Sequence, residues 1–283
     1  MTTTKALDSA SHAFPARSYL FVPADRPERF SRALASRADA VIVDLEDAVS
    51  QDRKETARQS LADWLSIEHP VHLRVNGSDT SWFQADMELC RHPGVLAIVL
   101  PKAEEADELK ILREVGGGKP LLPMIESARG FANMNVLAAQ PGVERLIFGT
   151  YDFRFDLGIE GDCEELLYFR SQFVLTSKLA GIQAPVDGVT TEFKDASRVR
   201  SDSISARRLG FGGKLSIHPN QVAVVNECFG PSNEDIAWAE RVMAATRAAA
   251  RGAIALDGKM IDRPIMLKAE AILRVGHRGP ERS

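Results

Sequence analysis

Short β-rich apolar runs alternate with longer amphipathic segments along most of the chain. The runs predict strands at 17–23, 40–47, 71–76, 95–102, 121–127, 145–152, 183–189 and 214–221. Those through positions 42, 98 and 147 are continuously apolar, as parallel strands covered on both faces require. The segments between them predict helices. Residues 27–37 carry a proline in the first turn, a favoured place for it. Residues 52–65 put Ala57, Leu61, Trp64 and Leu65 on one stripe. A helix over 103–115 runs into Gly116-Gly117-Gly118, a stop signal, and others cover 128–139, 164–180 and 192–209. Eight such repeats predict an α/β fold, a (β/α)8 TIM barrel. An open doubly wound sheet is the weaker reading, because no G-x-G-x-x-G follows the first strand. Beyond 221 the pattern changes to an alanine-rich helix at 233–251, a Gly/Asp turn and a last helix starting at 264. The expected organisation is a flexible tail at 1–14, a barrel core at 15–225 and a C-terminal helical extension at 226–283.

Composition narrows the partners. The length of 283 residues suits a single barrel with an appendage. With 35 basic and 39 acidic residues the net charge is -4, so no broad positive field exists to drive nucleic-acid binding. Cys90, Cys163 and Cys228 lie far apart, with no metal spacing, and their odd number fits a disulfide framework poorly. The first 14 residues lack the apolar stretch of a signal peptide. The longest clean apolar run, Val95–Leu100, is far below the roughly 20 residues of a membrane helix. A soluble cytoplasmic protein without nucleic-acid or membrane partners is expected.

In such a barrel, chemistry gathers at the C-terminal ends of the strands. That rule selects Asp44, Glu46 and Asp47 after the second strand, and Arg74 and Asn76 after the third. It adds Lys102, Glu126, Asp152 and His218 from the strands that follow. Glu126 and Asp152 end consecutive strands, about 4.8 Å apart, so both can reach one cation. Two carboxylates without nitrogen or sulfur ligands are a hard oxygen set and suit Mg²⁺. Capping of the following helices is the competing reading. Arg74 can grip a substrate carboxylate with its fork, or pair internally with the acidic run before it. Alternation puts Asp44 and Glu46 on one face and Asp47 on the other. His218 reads as a turn former, and the other histidines as structural or solvated. The glycine triplet precedes a strand, so it is a turn and not a phosphate cradle.

The strings RSYLFVPADRPERF, AVIVDLEDAV followed by Lys54 and Arg58, LRVN, LPMIES, FGTYDFRFDLG, GFGGKLSIHPNQ and DGKMIDRP span residues 17–264. In this order the chain resembles the citrate lyase β-subunit-like group of the HpcH/HpaI aldolase superfamily. The resemblance implies a Mg²⁺-dependent barrel enzyme, commonly a homotrimer, that makes or breaks a C–C bond between an acyl-CoA and a 2-oxo acid. It implies Glu126 and Asp152 as metal ligands and Arg74 as a substrate contact. It also implies Asp262 as an acid/base delivered to a neighbouring subunit, which would give the C-terminal extension its purpose. Several relatives carry a Gly-Asn stretch with basic residues after the first-strand proline. This chain has Ala24-Asp25-Arg26-Pro27-Glu28-Arg29 there, which leaves Arg26 and Arg29 as the candidate CoA contacts.

The expected substrate is a 3-hydroxyacyl-CoA of the citramalyl-, malyl- or citryl-CoA type, cleaved to acetyl-CoA and a 2-oxo acid. Asp44, Glu46 and Asp47 are expected to surround the metal ligands and order water near them. The alternatives are an aldolase on free hydroxy-oxo acids, a thioesterase or malate-synthase-like activity, and a non-catalytic barrel subunit of a lyase complex.

Overall fold

The computed structural model describes residues 15–248, 254–256 and 259–276. Eight parallel strands close into a barrel in chain order: β1 (Ser18–Pro23), β2 (Ala40–Asp44), β3 (Val71–Arg74), β4 (Val95–Leu100), β5 (Leu121–Ile125), β6 (Ile147–Phe148), β7 (Val186–Asp187) and β8 (Gly213–Ser216). All eight expected strands are present. Each is shorter than expected, most of all β6 and β7, which keep only two residues each.

Helices fill the crossovers: α1 (Phe30–Ala35), α2 (Lys54–Trp64), α3 (Phe83–Cys90), α4 (Ala106–Val115), α5 (Ala128–Ala138), α6 (Thr150–Leu157), α7 (Leu167–Ala180), α8 (Ala196–Leu209) and α9 (Pro219–Phe229). Three of these, α3, α6 and α9, occupy stretches where no helix was expected. Helices α7 and α8 end on Gly181 and Gly210 with φ of 71° and 109°. Only glycine takes that left-handed backbone without strain.

Strand alternation sorts the core into two layers. Tyr19, Ile42, Val99, Leu122, Ile147, Val186 and Leu215 fill the barrel interior. Leu20, Val43, Leu73, Ile98, Ile125 and Phe148 face the helices. At the N-terminal end of the barrel Arg145 is wholly buried. Its Nη1 donates to Ala16 O at 2.5 Å and to Tyr19 Oη at 3.1 Å, and its Nε donates to Ala184 O. It thereby ties the short β6 and β7 region to the start of β1. His72 lies there too, edge-on to Tyr19 at 5.7 Å. Burial holds its pKa down to about 4, so it is neutral.

The chain forms two compact units, and the barrel unit is Ala16–Gly230. Helix α9 packs on β1, β8 and α8 within it. The second unit contains α10 (Asn233–Ala248), an antiparallel pair of β9 (Ile254–Leu256) with β10 (Lys259–Ile261), and α11 (Arg263–Gly276). Its core gathers Ala239, Val242, Ile261 and Ala269. All three cysteines are free thiols.

Candidate active site

The acidic run after β2 is locked to β3. Asp44 accepts from Arg74 Nε at 2.7 Å and from Nη2 at 2.6 Å. It also accepts the backbone N–H groups of Glu46 (2.9 Å) and Ala48 (3.2 Å). Burial would raise the Asp44 pKa, but Arg74 and these hydrogen bonds outweigh it and hold the carboxyl below its usual range. The internal salt bridge that position alone left open is therefore formed. Two of the fork's donors are held by Asp44, one of the two compatible roles that the sequence left open. Only Nη1 is left, 3.1 Å from Glu46 Oε2 and 4.0 Å from Met124 Sδ. The Phe21 ring covers the guanidinium face at 4.6 Å.

Glu46 is buried between two cations. Its Oε1 accepts from Lys102 Nζ at 2.5 Å. Burial nevertheless raises its pKa, against the pull of Arg74 and Lys102. Its Oε2 lies close to Arg74 but makes no aligned hydrogen bond. Asp47 points away, half-exposed, with Lys102 Nζ at 3.6 Å. Beneath this loop Lys54 Nζ donates to Leu45 O, Glu46 O and Asn76 Oδ1 at 2.8, 2.8 and 2.6 Å. Asn76 is held in turn by Asp86, and Asp86 by Arg58. The β2 and β3 loops are thus one cross-linked body.

Glu126 follows β5 and is 3% exposed. Its Oε2 accepts the backbone N–H of Lys102 at 2.7 Å. Lys102 presents that N–H from a left-handed backbone, φ 47°, which is uncommon for a side-chain-bearing residue. Burial pushes the Glu126 pKa up to about 8, with Arg74 opposing and Glu46 adding to the rise. Its Oε1 has no hydrogen-bond donor among the described residues. A Cβ on Gly149, beside β6, would overlap the Glu126 side chain, so glycine is what lets that carboxylate in.

Asp152 does not end a strand. It sits in the first turn of α6, one turn further along the chain than expected, and caps nothing. Its half-buried carboxylate makes no hydrogen bond or ion pair among the described residues. Glu126 still feels its charge. Glu126 and Asp152 are a donor set of carboxylate oxygens short of partners, and they fit a hard divalent cation completed by water and ligand. No cluster of three metal-binding side chains occurs among the described residues.

The other expected residues are dispersed. Arg26 and Arg29 lie exposed on the turn after β1, with Arg26 Nε 3.9 Å from Asp25. Arg53, which sequence reasoning passed over, joins them there through Asp25 at 2.9 Å. His218 caps α9: its Nδ1 accepts from Asn220 N at 3.1 Å, and its ring stacks on Phe193 at 4.8 Å. Asp262 accepts from Ile265 N at 3.1 Å at the start of α11.

Residues 17–219 match the HpcH/HpaI aldolase/citrate lyase family. The chain belongs to that family. Among its HpcH/HpaI relatives, a (3S)-malyl-CoA thioesterase of Cereibacter sphaeroides is 35% identical over 279 residues, covering 93% of this chain and 98% of the relative. The mitochondrial citramalyl-CoA lyase of Rattus norvegicus is 32% identical over 291 residues, covering 92% and 85%. Protein CitE of Mycobacterium tuberculosis, solved in complex with magnesium, acetoacetate and coenzyme A, aligns with a TM-score of 0.80 at 33% identity. That alignment covers 92% of this chain and 97% of CitE. Among the described residues no helix is long and apolar enough to cross a membrane.

Proposed function

We propose that the protein is a Mg²⁺-dependent lyase that splits a 3-hydroxyacyl-CoA of the citramalyl-, malyl- or citryl-CoA type into acetyl-CoA and a 2-oxo acid. The observation that carries this reading is the pair of under-partnered carboxylates, Glu126 and Asp152, near Arg74, two of whose donors are held by Asp44. They would hold the metal. When bound, Mg²⁺ supplies Lewis-acid polarisation of the substrate's hydroxyl or carbonyl oxygen and offsets carboxylate charge.

The chain's own groups do the rest. Arg74 offers Nη1 end-on to the substrate while Asp44 fixes its plane. Glu46 and Lys102 hold the remaining edge of that cluster, and Asp47 stands outside it. Arg74 and Lys102 occupy Asp44 and Glu46, so these acids serve chiefly to hold the cations, and ordering water is the smaller part of their role. The hydroxyl proton passes to solvent water as that oxygen becomes the carbonyl of the 2-oxo acid, the C–C bond breaks, and its electron pair passes into the thioester enolate. Asp262 from a neighbouring subunit of a homotrimer protonates the enolate carbon, and in the reverse direction deprotonates acetyl-CoA. Arg26 and Arg29 face the CoA phosphates. A cytoplasmic, reducing setting agrees with the three free thiols.

A second reading is hydrolysis of the thioester bond, favoured by the likeness to a malyl-CoA thioesterase. Incubation with citramalyl-CoA, malyl-CoA and citryl-CoA and chromatography of the products separates the two. Acetyl-CoA with an equimolar 2-oxo acid is expected from one of the three. Free CoA with an intact hydroxy acid would replace the lyase by the thioesterase.

A further inference from the structure

We propose that the Thr150 hydroxyl is a ligand contact, a hydrogen-bond donor to an oxygen of the 2-oxo acid held at the barrel mouth. This rests on the reading that the Glu126/Asp152 site takes such an acid. Thr150 opens α6, two residues before Asp152 and next to Gly149. It is 6% exposed, yet its Oγ1 makes no hydrogen bond among the described residues. The side chain is packed almost entirely away from solvent, but its hydroxyl oxygen is not among the sealed-off unpartnered atoms and keeps access to the mouth, so its donor is free for a ligand.

The usual local partner is already engaged, and Thr150 makes no hydrogen bond to it. Threonine in a helix commonly donates to the carbonyl four residues back. Here that carbonyl, Leu146 O, accepts Val186 N at 2.9 Å as part of the β6–β7 ladder. The hydroxyl is placed by a second glycine. Val186 points into the barrel, so Gly188, two residues on, faces the mouth. A Cβ there would overlap Oγ1, Cγ2 and Cβ of Thr150. Thr150 thus fills the mouth position that β7 leaves open, as Glu126 fills the one that β6 leaves open. The two side chains occupy adjacent glycine-cleared places in one wall. A neutral donor beside two carboxylates suits a carboxylate or carbonyl oxygen of a small acid. The β-branched side chain has few rotamers, so the hydroxyl is aimed before any ligand arrives.

The test is calorimetric titration of Mg²⁺, then of pyruvate, glyoxylate and oxaloacetate at saturating Mg²⁺, into wild type, Thr150→Val and Thr150→Ser. Thr150→Val keeps the shape and removes the donor. It should weaken the bound oxo acid about tenfold, the worth of one hydrogen bond, and leave Mg²⁺ affinity within about twofold. Thr150→Ser should remain near wild type. Unchanged oxo-acid affinity in Thr150→Val overturns the proposal and leaves the lyase reading standing. A Thr150→Ser variant as weak as Thr150→Val, or a parallel loss of Mg²⁺, assigns Thr150 to packing and also overturns it. A wild type that binds none of the three acids removes both readings together.

Discussion

On the β2–β4 side of the barrel mouth the polar groups are consumed by one another. Arg74 gives two donors to Asp44, Lys102 gives its ammonium to Glu46, and Lys54 ties the loops together from below. On the β5–β7 side Asp187 is paired with Arg170 and Lys214, but three other polar groups are left open. Glu126 has one oxygen unclaimed, Asp152 has no hydrogen bond or ion pair among the described residues, and the Oγ1 of the buried Thr150 makes no hydrogen bond among them. The sheet differs in the same sense, with strands of four to six residues from β1 to β5 and two-residue strands at β6 and β7. The most charged side of the mouth is the rigid frame, and the side short of partners is where a ligand is needed.

The open side offers the strongest way to break that contrast. Glu126→Gln or Asp152→Asn should abolish Mg²⁺ binding by calorimetry and cost about a thousandfold or more in cleavage rate, given the several kcal/mol a metal supplies. Full turnover in excess chelator would sink the assignment. The locked side should respond in stability. Arg74→Met leaves Asp44 buried and unpaired, and should lower unfolding free energy by about 3–5 kcal/mol. Urea denaturation measures this, and adding Asp44→Asn should restore part of the loss. A single variant as stable as wild type would show that the frame does not depend on this pair.

Protons sharpen the comparison. The folded Glu126 pKa of about 8 lies above its ordinary value, so the folded chain holds a proton that the unfolded chain releases. Its contribution to stability is therefore present below about pH 4.5 and is lost as pH rises through about 8. Metal-free melting temperatures should fall across that window, and Mg²⁺ should oppose the fall. Mg²⁺ must also displace this proton, so its affinity should climb by about tenfold per pH unit below pH 8 and flatten above it. A flat profile between pH 6 and 8 would place the ionised form of Glu126 in the metal-free protein. The smallest effect is expected at the exposed turn after β1. Arg26→Ala or Arg29→Ala should weaken CoA by only about threefold, as solvated ion pairs do.

Much of the frame was legible from the sequence. The continuous apolar runs around Ile42, Ile98 and Ile147 are what buried parallel strands require, and the glycines after α7 and α8 mark their stops. The turn into α6 was not legible. Its N-cap is Gly149, which offers no capping side chain to read, and the run before it continues in strand-forming residues through Thr150 and Tyr151. Helix α9 did carry a signal, Pro219 at its first position, but the β-rich run before it hid the boundary. The charge cluster could be anticipated, whereas the allotment of Arg74 to Asp44 depends on contacts across 30 positions. Lys54 stands in the sequence only as part of a motif, with no role attached. Only the fold reveals three acceptors around its ammonium.

The two glycines of the mouth bear on how this barrel can be taken apart. Eight strand–helix units invite treatment as exchangeable cassettes. Yet the β5 unit delivers its acid into space vacated by the β6 unit, and α6 delivers its hydroxyl into space vacated by the β7 unit. Each unit is shaped by the blank its neighbour leaves. A chimera that imports the β5 segment without Gly149 brings in a carboxylate with no room to lie down. Grafting in this barrel should therefore proceed by a run of three consecutive units, β5 through β7.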